Sequence, residues 1–309
     1  MTVKKYVVTG GAGFIGSNLT DKLIEEGHEV VVIDNISTGK KENVNPKASL
    51  VIADLCGAHK RGSYETKVKE ACEGASAVFH MSALARVQPS IQDPFLYHKN
   101  NVNATLNLLQ IAREANVGRV VYSASSSAYG QTDVLPTTET TPTDPISPYA
   151  LQKLIGEQYC RVYSHCYDLE TVSLRYFNIF GERQPFDGAY CTVMGIFARQ
   201  RVNGEPLTIV GDGEQRRDFT YVGDVVSANI KAAHSTKVGK GEVINIGAGK
   251  NSSVNDLAAL MGGPTTHLPA VLEPQESLAD NSLAKELLDW EPTTTIYDWV
   301  PSYKKQLGI

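Results

Sequence analysis

Tyr149 and Lys153 stand four residues apart in Tyr149-Ala-Leu-Gln-Lys153, and Ser125 lies shortly before them in a Ser- and Tyr-rich run over 123–130. On a helix, positions i and i+4 share a face, so the Lys153 ammonium can reach back toward the Tyr149 phenol. A cation held there favours the phenolate and lowers a tyrosine from about 10 toward neutrality. Tyr149 would then be a usable acid and base for an alcohol. The same spacing also arises wherever an amphipathic helix shows a Tyr and a Lys to solvent, so the pair needs company from the rest of the chain.

The first such company is at the N-terminal end. Residues 4–9 read as a short strand that runs into Gly10-Gly-Ala-Gly13-Phe14-Ile15-Gly16. Ile15, Leu19, Leu23 and Ile24 then recur at helical spacing, and a second strand over 29–33 ends at Asp34. A strand, a glycine turn, a helix and a strand closing on an acid are the context that gives the glycine pattern its meaning in dinucleotide binding. Gly10, Gly13 and Gly16 let the backbone approach a pyrophosphate, and the helix N-terminus offers it N–H groups and a partial positive charge. Asp34 sits where a carboxylate accepts hydrogen bonds from a ribose 2′-hydroxyl and repels a 2′-phosphate. NAD is therefore expected in preference to NADP.

Apolar runs at 50–53, 77–81 and 120–123 continue the pattern, alternating with helical stretches at 65–72, 95–115 and 148–167. Such alternation predicts an α/β fold, a Rossmann-type doubly wound parallel sheet with ligands at the C-terminal strand ends. Asp54, Met81 and Ser123 fall at such ends. A further strand is expected over 169–175. Beyond it the alternation becomes irregular, with a helix at 193–203, a strand at 207–210, a turn at 211–213 and a helix at 224–233. We therefore expect an NAD-binding domain over 1–177, with a strand near 243–246 returning to it. Residues 178–309 would form mainly a smaller, interleaved substrate-binding cap.

Composition narrows the class. A chain of 309 residues can bury a full core, and a net charge of −5 argues against a dedicated nucleic-acid binder. No apolar run approaches the roughly 20 residues of a membrane span, and the N-terminus has no signal-peptide pattern. The five cysteines are scattered and carry no metal-ligand spacing, so they read as reduced thiols of a cytoplasmic protein, with no metal site.

With these elements in place, the chain resembles the extended short-chain dehydrogenase/reductase family, and within it the nucleotide-sugar 4-epimerases. The resemblance runs nearly end to end. It rests on the 10–16 glycine run, the loop Asp34-Asn-Ile-Ser-Thr-Gly39, Asp54-Leu55, and the stretches 80–90, 100–105 and 123–130. It also rests on Tyr149 to Lys153 and on Arg175-Tyr-Phe-Asn-Ile-Phe-Gly181. It implies that Phe14, Ile15, Asn35, Ser37, Thr38 and Gly39 surround the cofactor, with Asp54 and Leu55 at its adenine. Met81, Ala83, Asn101, Ser123 and Tyr176 would complete the cofactor site, Asn101 also bracing its helix. On the substrate side it implies Val87, Ser125, Ser126, Asn178, Tyr190, Thr192 and Arg217, the last on the diphosphate, where a planar guanidinium suits bidentate contact. It implies too a homodimer through the helices at 95–115 and 148–167.

Three departures from that family bear on the substrate. Many relatives carry a second diphosphate arginine where this chain has Val271, and no Arg follows Arg217. One charge-assisted contact, typically about 1.5–3 kcal/mol, is thus lost. The stretch 257–267 is shorter than in most relatives. Epimerases restricted to glucose and galactose resemble one another in a Tyr three positions before the Asp that aligns with Asp280; here that position is Ser277, which leaves room for an N-acetyl group at sugar C2.

The reaction implied is inversion at C4 of a UDP-hexose, either UDP-glucose/UDP-galactose or their N-acetylhexosamine counterparts. Tyr149 would take the 4-hydroxyl proton while the C4 hydride passes to NAD, Ser125 would relay the proton, and Lys153 would tune Tyr149. The 4-keto sugar would turn over and take the hydride back on its other face. Sugar-nucleotide dehydratases and decarboxylases are the nearest rivals within the class. A dehydratase needs an acid beside the Ser125 position, and Ser126 and Ser127 stand there, with no Asp or Glu before Gln131. A lapsed NAD-binding regulatory protein is the alternative from another class.

Overall fold

The computed structural model describes residues 2–57, 63–186, 191–271 and 275–309, without the side chains of 63–65. In chain order the elements begin with β1 (Lys5–Thr9), α1 (Phe14–Glu25), β2 (Glu29–Asp34), β3 (Ser49–Ile52), α2 (Ser63–Cys72) and β4 (Ala77–His80). There follow α3 (Val87–Gln92), α4 (Pro94–His98), α5 (Ala104–Glu114), β5 (Arg119–Ser125), α6 (Pro148–Tyr167) and β6 (Glu170–Tyr176). The remainder comprises β7 (Ile179–Phe180), α7 (Val193–Val202), β8 (Leu207–Val210), β9 (Arg216–Asp218), β10 (Thr220–Tyr221) and α8 (Val222–His234). It ends with β11 (Lys240–Ile246), β12 (Asn251–Ser253), α9 (Val254–Met261), β13 (Thr265–Leu268), α10 (Ser282–Leu288) and α11 (Ile296–Leu307).

Seven strands form one sheet in the order β11-β6-β5-β4-β1-β2-β3, every pair parallel. A parallel sheet is covered on both faces, which is why its strands read as unbroken apolar runs. Successive side chains still point to opposite faces. Val7, Val78, Val120 and Tyr122 pack with α2, α5 and α6 through Val68, Leu108, Ile111 and Cys160. Tyr6, Val8, Phe79 and Val121 pack instead with Leu19 and Leu23 of α1 and with Val225, Ala228 and Leu288 of α8 and α10. Each fully buried Leu or Phe contributes about 1.5–3 kcal/mol, so both faces are needed to hold the sheet.

The order of strands reverses between β1 and β4, the place where an open α/β sheet leaves a crevice at its carboxyl edge. A second core of Phe180, Met194, Phe197, Leu207, Leu257 and Trp299 lies beyond that edge, knitted by the short pairs β8–β13, β9–β12 and β7–β10. No helix among the described residues is long and apolar enough to cross a membrane.

Two local features set the site. Helix α6 begins where Ser147 caps it, the hydroxyl accepting from the Ala150 N–H at 3.2 Å, with Pro148 in its first turn. That start puts Tyr149 in the first turn and Lys153 one turn below. The helix expected over 95–115 is α4 and α5 joined through a π turn at Lys99–Asn103, which buries Asn101. A π turn adds a residue to the helical ladder and rotates the side chains after it.

Candidate active site

A cavity of about 1370 Å³ runs from the glycine turn, past the C-terminal ends of β4 and β5, to β9 and the 276–277 segment. Every site residue expected from the sequence lines it except Asn101 and Tyr190. Tyr190 lies outside the described residues. Asn101 stands behind the wall, 1 % exposed, so its place is that of a brace. Among the described residues no three His, Cys, Asp or Glu side chains converge on a metal position.

The turn after β1 is shaped for a pyrophosphate. Gly10 has φ +69°, and a Cβ on it would lie 2.8 Å from the Ser82 N. A Cβ at Gly16 would collide with the Gly10 carbonyl. The α1 N-terminus has no side-chain cap, so its first N–H groups stay available to an anion. Asp34, 8 % exposed at the end of β2, accepts from Ala12 N at 3.0 Å on Oδ2 and from Ile36 N at 2.8 Å on Oδ1. Each oxygen keeps a second lone pair, so the anchored carboxylate can still accept from a ribose hydroxyl. The cradle thus fits NAD.

Ser125 ends β5 in extended conformation, where its Oγ accepts from the Ser127 N at 3.2 Å and shares a 2.8 Å hydrogen bond with the Ser127 Oγ. The Ser125 hydroxyl lies where it favours the ionised form of the Tyr149 phenol. Lys153 is buried and its Nζ donates to the Ser123 carbonyl at 2.7 Å. Burial pulls the Lys153 ammonium down to about 8, opposed by Glu157 one turn further on. Glu157 in turn accepts from Arg175 of β6 at 2.9 and 2.7 Å, a buried bidentate pair.

The expected depression of Tyr149 needs correction. Burial raises its phenol above the ordinary value, and the groups that oppose the rise are Ser125 and Arg86. Lys153 Nζ points its hydrogen bond at the Ser123 carbonyl. Spacing on a helix gave the right face but not the direction of a long side chain's tip.

On the far side of the cavity Asn178 donates to the Asp218 carbonyl at 3.0 Å and to Ser277 Oγ at 3.2 Å. Arg217 lines the wall with its Nη1 donating to the Arg216 carbonyl at 3.0 Å, and Val271, 56 % exposed, also faces the cavity. Thr192 is there too, its hydroxyl accepting from Gly195 N as the cap of α7. Asp218 is fully buried and accepts the N–H groups of Ala248, Gly249 and Ala279; burial raises it to about 6. It ties β9 to the segment that carries Ser277.

Sequence reading missed Arg86, Gln152, Glu157 and Asp218. Gln152 accepts from Asn101 Nδ2 at 3.0 Å and so joins α6 to the π turn. No spacing rule links residues 51 positions apart. Glu157 could have been found, since it repeats the four-residue step from Tyr149 to Lys153.

Comparison with known proteins agrees with this geometry. The chain is 34% identical over 312 residues to the UDP-glucose 4-epimerase of Mycolicibacterium smegmatis, covering 95% of each. Among solved structures it is similar to the UDP-glucose 4-epimerase of Thermotoga maritima with UDP-glucose, at TM-score 0.89 and 35% identity, covering 98% of this chain and 99% of that one. It is equally similar to the UDP-N-acetylglucosamine 4-epimerase of Methanobrevibacter ruminantium in complex with UDP-N-acetylmuramic acid, at TM-score 0.89 and 34% identity, covering 99% and 100%. The pattern of the NAD dependent epimerase/dehydratase family matches residues 6–247. With that match running over most of its length, and the cradle after β1 fitting the cofactor, the chain belongs to the NAD dependent epimerase/dehydratase family.

Proposed function

We propose that this protein inverts C4 of a UDP-hexose, acting on UDP-glucose/UDP-galactose, on UDP-GlcNAc/UDP-GalNAc, or on both. One observation carries the reading: a single cavity joins the dinucleotide cradle, the Ser125–Tyr149–Lys153 cluster and Arg217. The sheet part, 1–177 together with β11, would hold the cofactor, and 178–309 would close over the sugar nucleotide.

NAD, when bound, supplies the acceptor and donor for the C4 hydride; the Gly10–Gly16 turn, Asp34 and Lys153 would hold it. The chain's own work is orientation and proton movement. Tyr149 takes the proton of the 4-hydroxyl at its phenolate oxygen and returns it once the sugar has turned over. Ser125, on the same cavity wall, would keep that oxygen in line. Arg217 would grip the diphosphate without a second arginine at the Val271 position.

The small Ser277 supports room for an N-acetyl group at C2. Dehydration finds no support, because the acid it requires beside Ser125 is absent from 126–131. A homodimer through α4–α5 and α6 is supported by apolar side chains that these helices leave exposed, among them Phe95, Leu96, Leu151 and Val162.

The test is an assay of the purified protein with UDP-GlcNAc, UDP-glucose and their C4 epimers without added reductant. Turnover should appear, fall by orders of magnitude in Tyr149→Phe, and for the N-acetyl sugars alone in Ser277→Tyr. No turnover of any UDP-hexose by protein that still holds NAD would sink the epimerase reading. Sedimentation at low concentration, with Phe95→Glu as the disrupting variant, tests the dimer.

A further inference from the structure

The chain between β4 and α3 carries an arginine that the reading above leaves without a task. This turn is held unusually firmly. Asn101 clamps Leu84 through both backbone groups, accepting from its N–H at 2.8 Å and donating to its carbonyl at 3.0 Å. Tyr97 Oη donates to the Ala85 carbonyl at 2.7 Å. Ser90 Oγ donates to the Val87 carbonyl and accepts from the Tyr149 N–H at 3.1 Å, which fastens the turn to the first turn of α6. Between these clamps Arg86 has φ +91° and ψ 139°, a region that a residue with a Cβ rarely adopts. Strain of that kind persists only where the surroundings over-determine it, and it collects at functional sites.

The strained backbone delivers the Arg86 side chain to the cavity wall that Ser125, Tyr149 and Lys153 share. The groups around the Tyr149 phenol come from several elements. Ser125 and Tyr122 approach from β5, Lys153 lies below on α6, and Arg86 comes from the turn before α3. The groups that favour the charged form of Arg86 are Tyr149, Cys191 just before α7 and Tyr97 of α4. His80, behind them on β4, is neutral and bonded to Thr9 and Thr105. Lys153 Nζ donates to the Ser123 carbonyl, and the Arg86 turn is fastened to the Tyr149 backbone through Ser90, so two cations border the phenol's end of the cavity.

We propose that Arg86 is a positioning residue of the reaction, a second cation of the active site that stabilises Tyr149 as the phenolate able to take the C4 proton. The inference rests on Tyr149 being the base of the proposed epimerase. In the step it serves, the O–H bond at C4 breaks and its proton joins the Tyr149 oxygen. The C4–H pair of electrons leaves with the hydrogen to NAD⁺, and C4 becomes a carbonyl. Neutralising the phenolate removes its attraction to Arg86, so the same cation later helps Tyr149 give the proton back.

Three variants separate charge from structure. Arg86→Met removes the charge, Arg86→Lys keeps it, and Arg86→Gly removes it while relieving the positive φ. The NAD-loaded proteins are compared in the pH profile of kcat/KM with UDP-glucose and UDP-GlcNAc. The ionisation of Tyr149 is read separately, as the near-ultraviolet tyrosinate signal of each protein minus that of the same protein with Tyr149→Phe. In Arg86→Met and Arg86→Gly the acid limb and the tyrosinate midpoint should both move up by ~0.5–1 pH unit, the size expected of one partly screened charge. Arg86→Lys should stay near the parent, and all three should melt within a few degrees of it. An unmoved tyrosinate midpoint in both uncharged variants overturns the proposal. A rise in KM for both sugar nucleotides, with both midpoints unmoved, would overturn the proposal and assign Arg86 to substrate binding instead. A moved midpoint in a protein that turns over no UDP-hexose would uphold the Arg86–Tyr149 coupling while sinking the epimerase reading it serves.

Discussion

Asn101 holds Leu84 by both of its backbone groups, 17 positions away in sequence, and passes its second amide hydrogen to Gln152 of α6. One buried side chain thus registers the turn after β4, the π turn before α5 and helix α6. The amide is suited to this because it both donates and accepts, and here every bond is made in the dry interior.

Replacing it with leucine keeps the volume and strands the Leu84 N–H and C=O. Asn101→Leu should therefore cost about 2–4 kcal/mol in urea unfolding, the sum of two unpaired buried groups. Asn101→Asp keeps the acceptor and should cost less at acidic pH, where it can also donate. Stability of Asn101→Leu within about 0.5 kcal/mol of the parent would remove the bracing role.

His80 makes a pH prediction with a definite sign. Thr105 donates to the Asn101 carbonyl, so it accepts from His80 Nε2–H, while Thr9, which accepts from the Ser82 N–H, donates to Nδ1. That assignment leaves a neutral imidazole, and burial holds its value near 3 against an ordinary 6.5. Between those values the unfolded chain binds more protons than the folded one. The contribution is complete above pH 6.5 and is lost as pH falls through the window toward 3, on the order of 5 kcal/mol in all. In His80→Gln the slope of stability against pH between 6.5 and 4 should flatten; an unchanged slope would show that another group sets it.

The Glu157–Arg175 pair should behave as a unit. Glu157→Ala leaves a buried guanidinium without its carboxylate and should cost about 3–5 kcal/mol, whereas the double variant Glu157→Leu/Arg175→Met should cost less than either single change. Glu157 also holds up Lys153, which loses its proton near 8. Glu157→Gln should thus move the alkaline limb of the activity profile to lower pH, and additive costs with an unmoved limb would count against the unit.

Gly16 tests the cradle. Alanine is preferred over glycine inside a helix by about 1 kcal/mol. Gly16→Ala should nevertheless gain no stability, because its Cβ meets the Gly10 carbonyl, and the purified protein should carry far less NAD. Wild-type NAD content in this variant would show that the turn can open.

Much of this was legible in the chain itself. The parallel sheet announces itself as apolar runs because strands covered on both faces need no polar alternation. The cradle announces itself because close backbone approach to a phosphate demands glycine at set positions along a contiguous segment. Tyr149 and Lys153 could be paired because helical geometry is fixed by the backbone alone. Those are local constraints, written in consecutive residues. The rest depended on contacts between distant segments: where the Lys153 ammonium bonds, what clamps Leu84, that Asn101 stands behind the wall, and that a strained Arg86 lines the cavity that Tyr149 lines. A guanidinium's position is the outcome of packing from β4, α4 and α6 together, and no spacing rule within one segment encodes it. The chain alone determined the cofactor cradle and the Tyr149–Lys153 spacing; only the tertiary structure decided which charges line the cavity with the phenol, because fields act through space and not along the sequence.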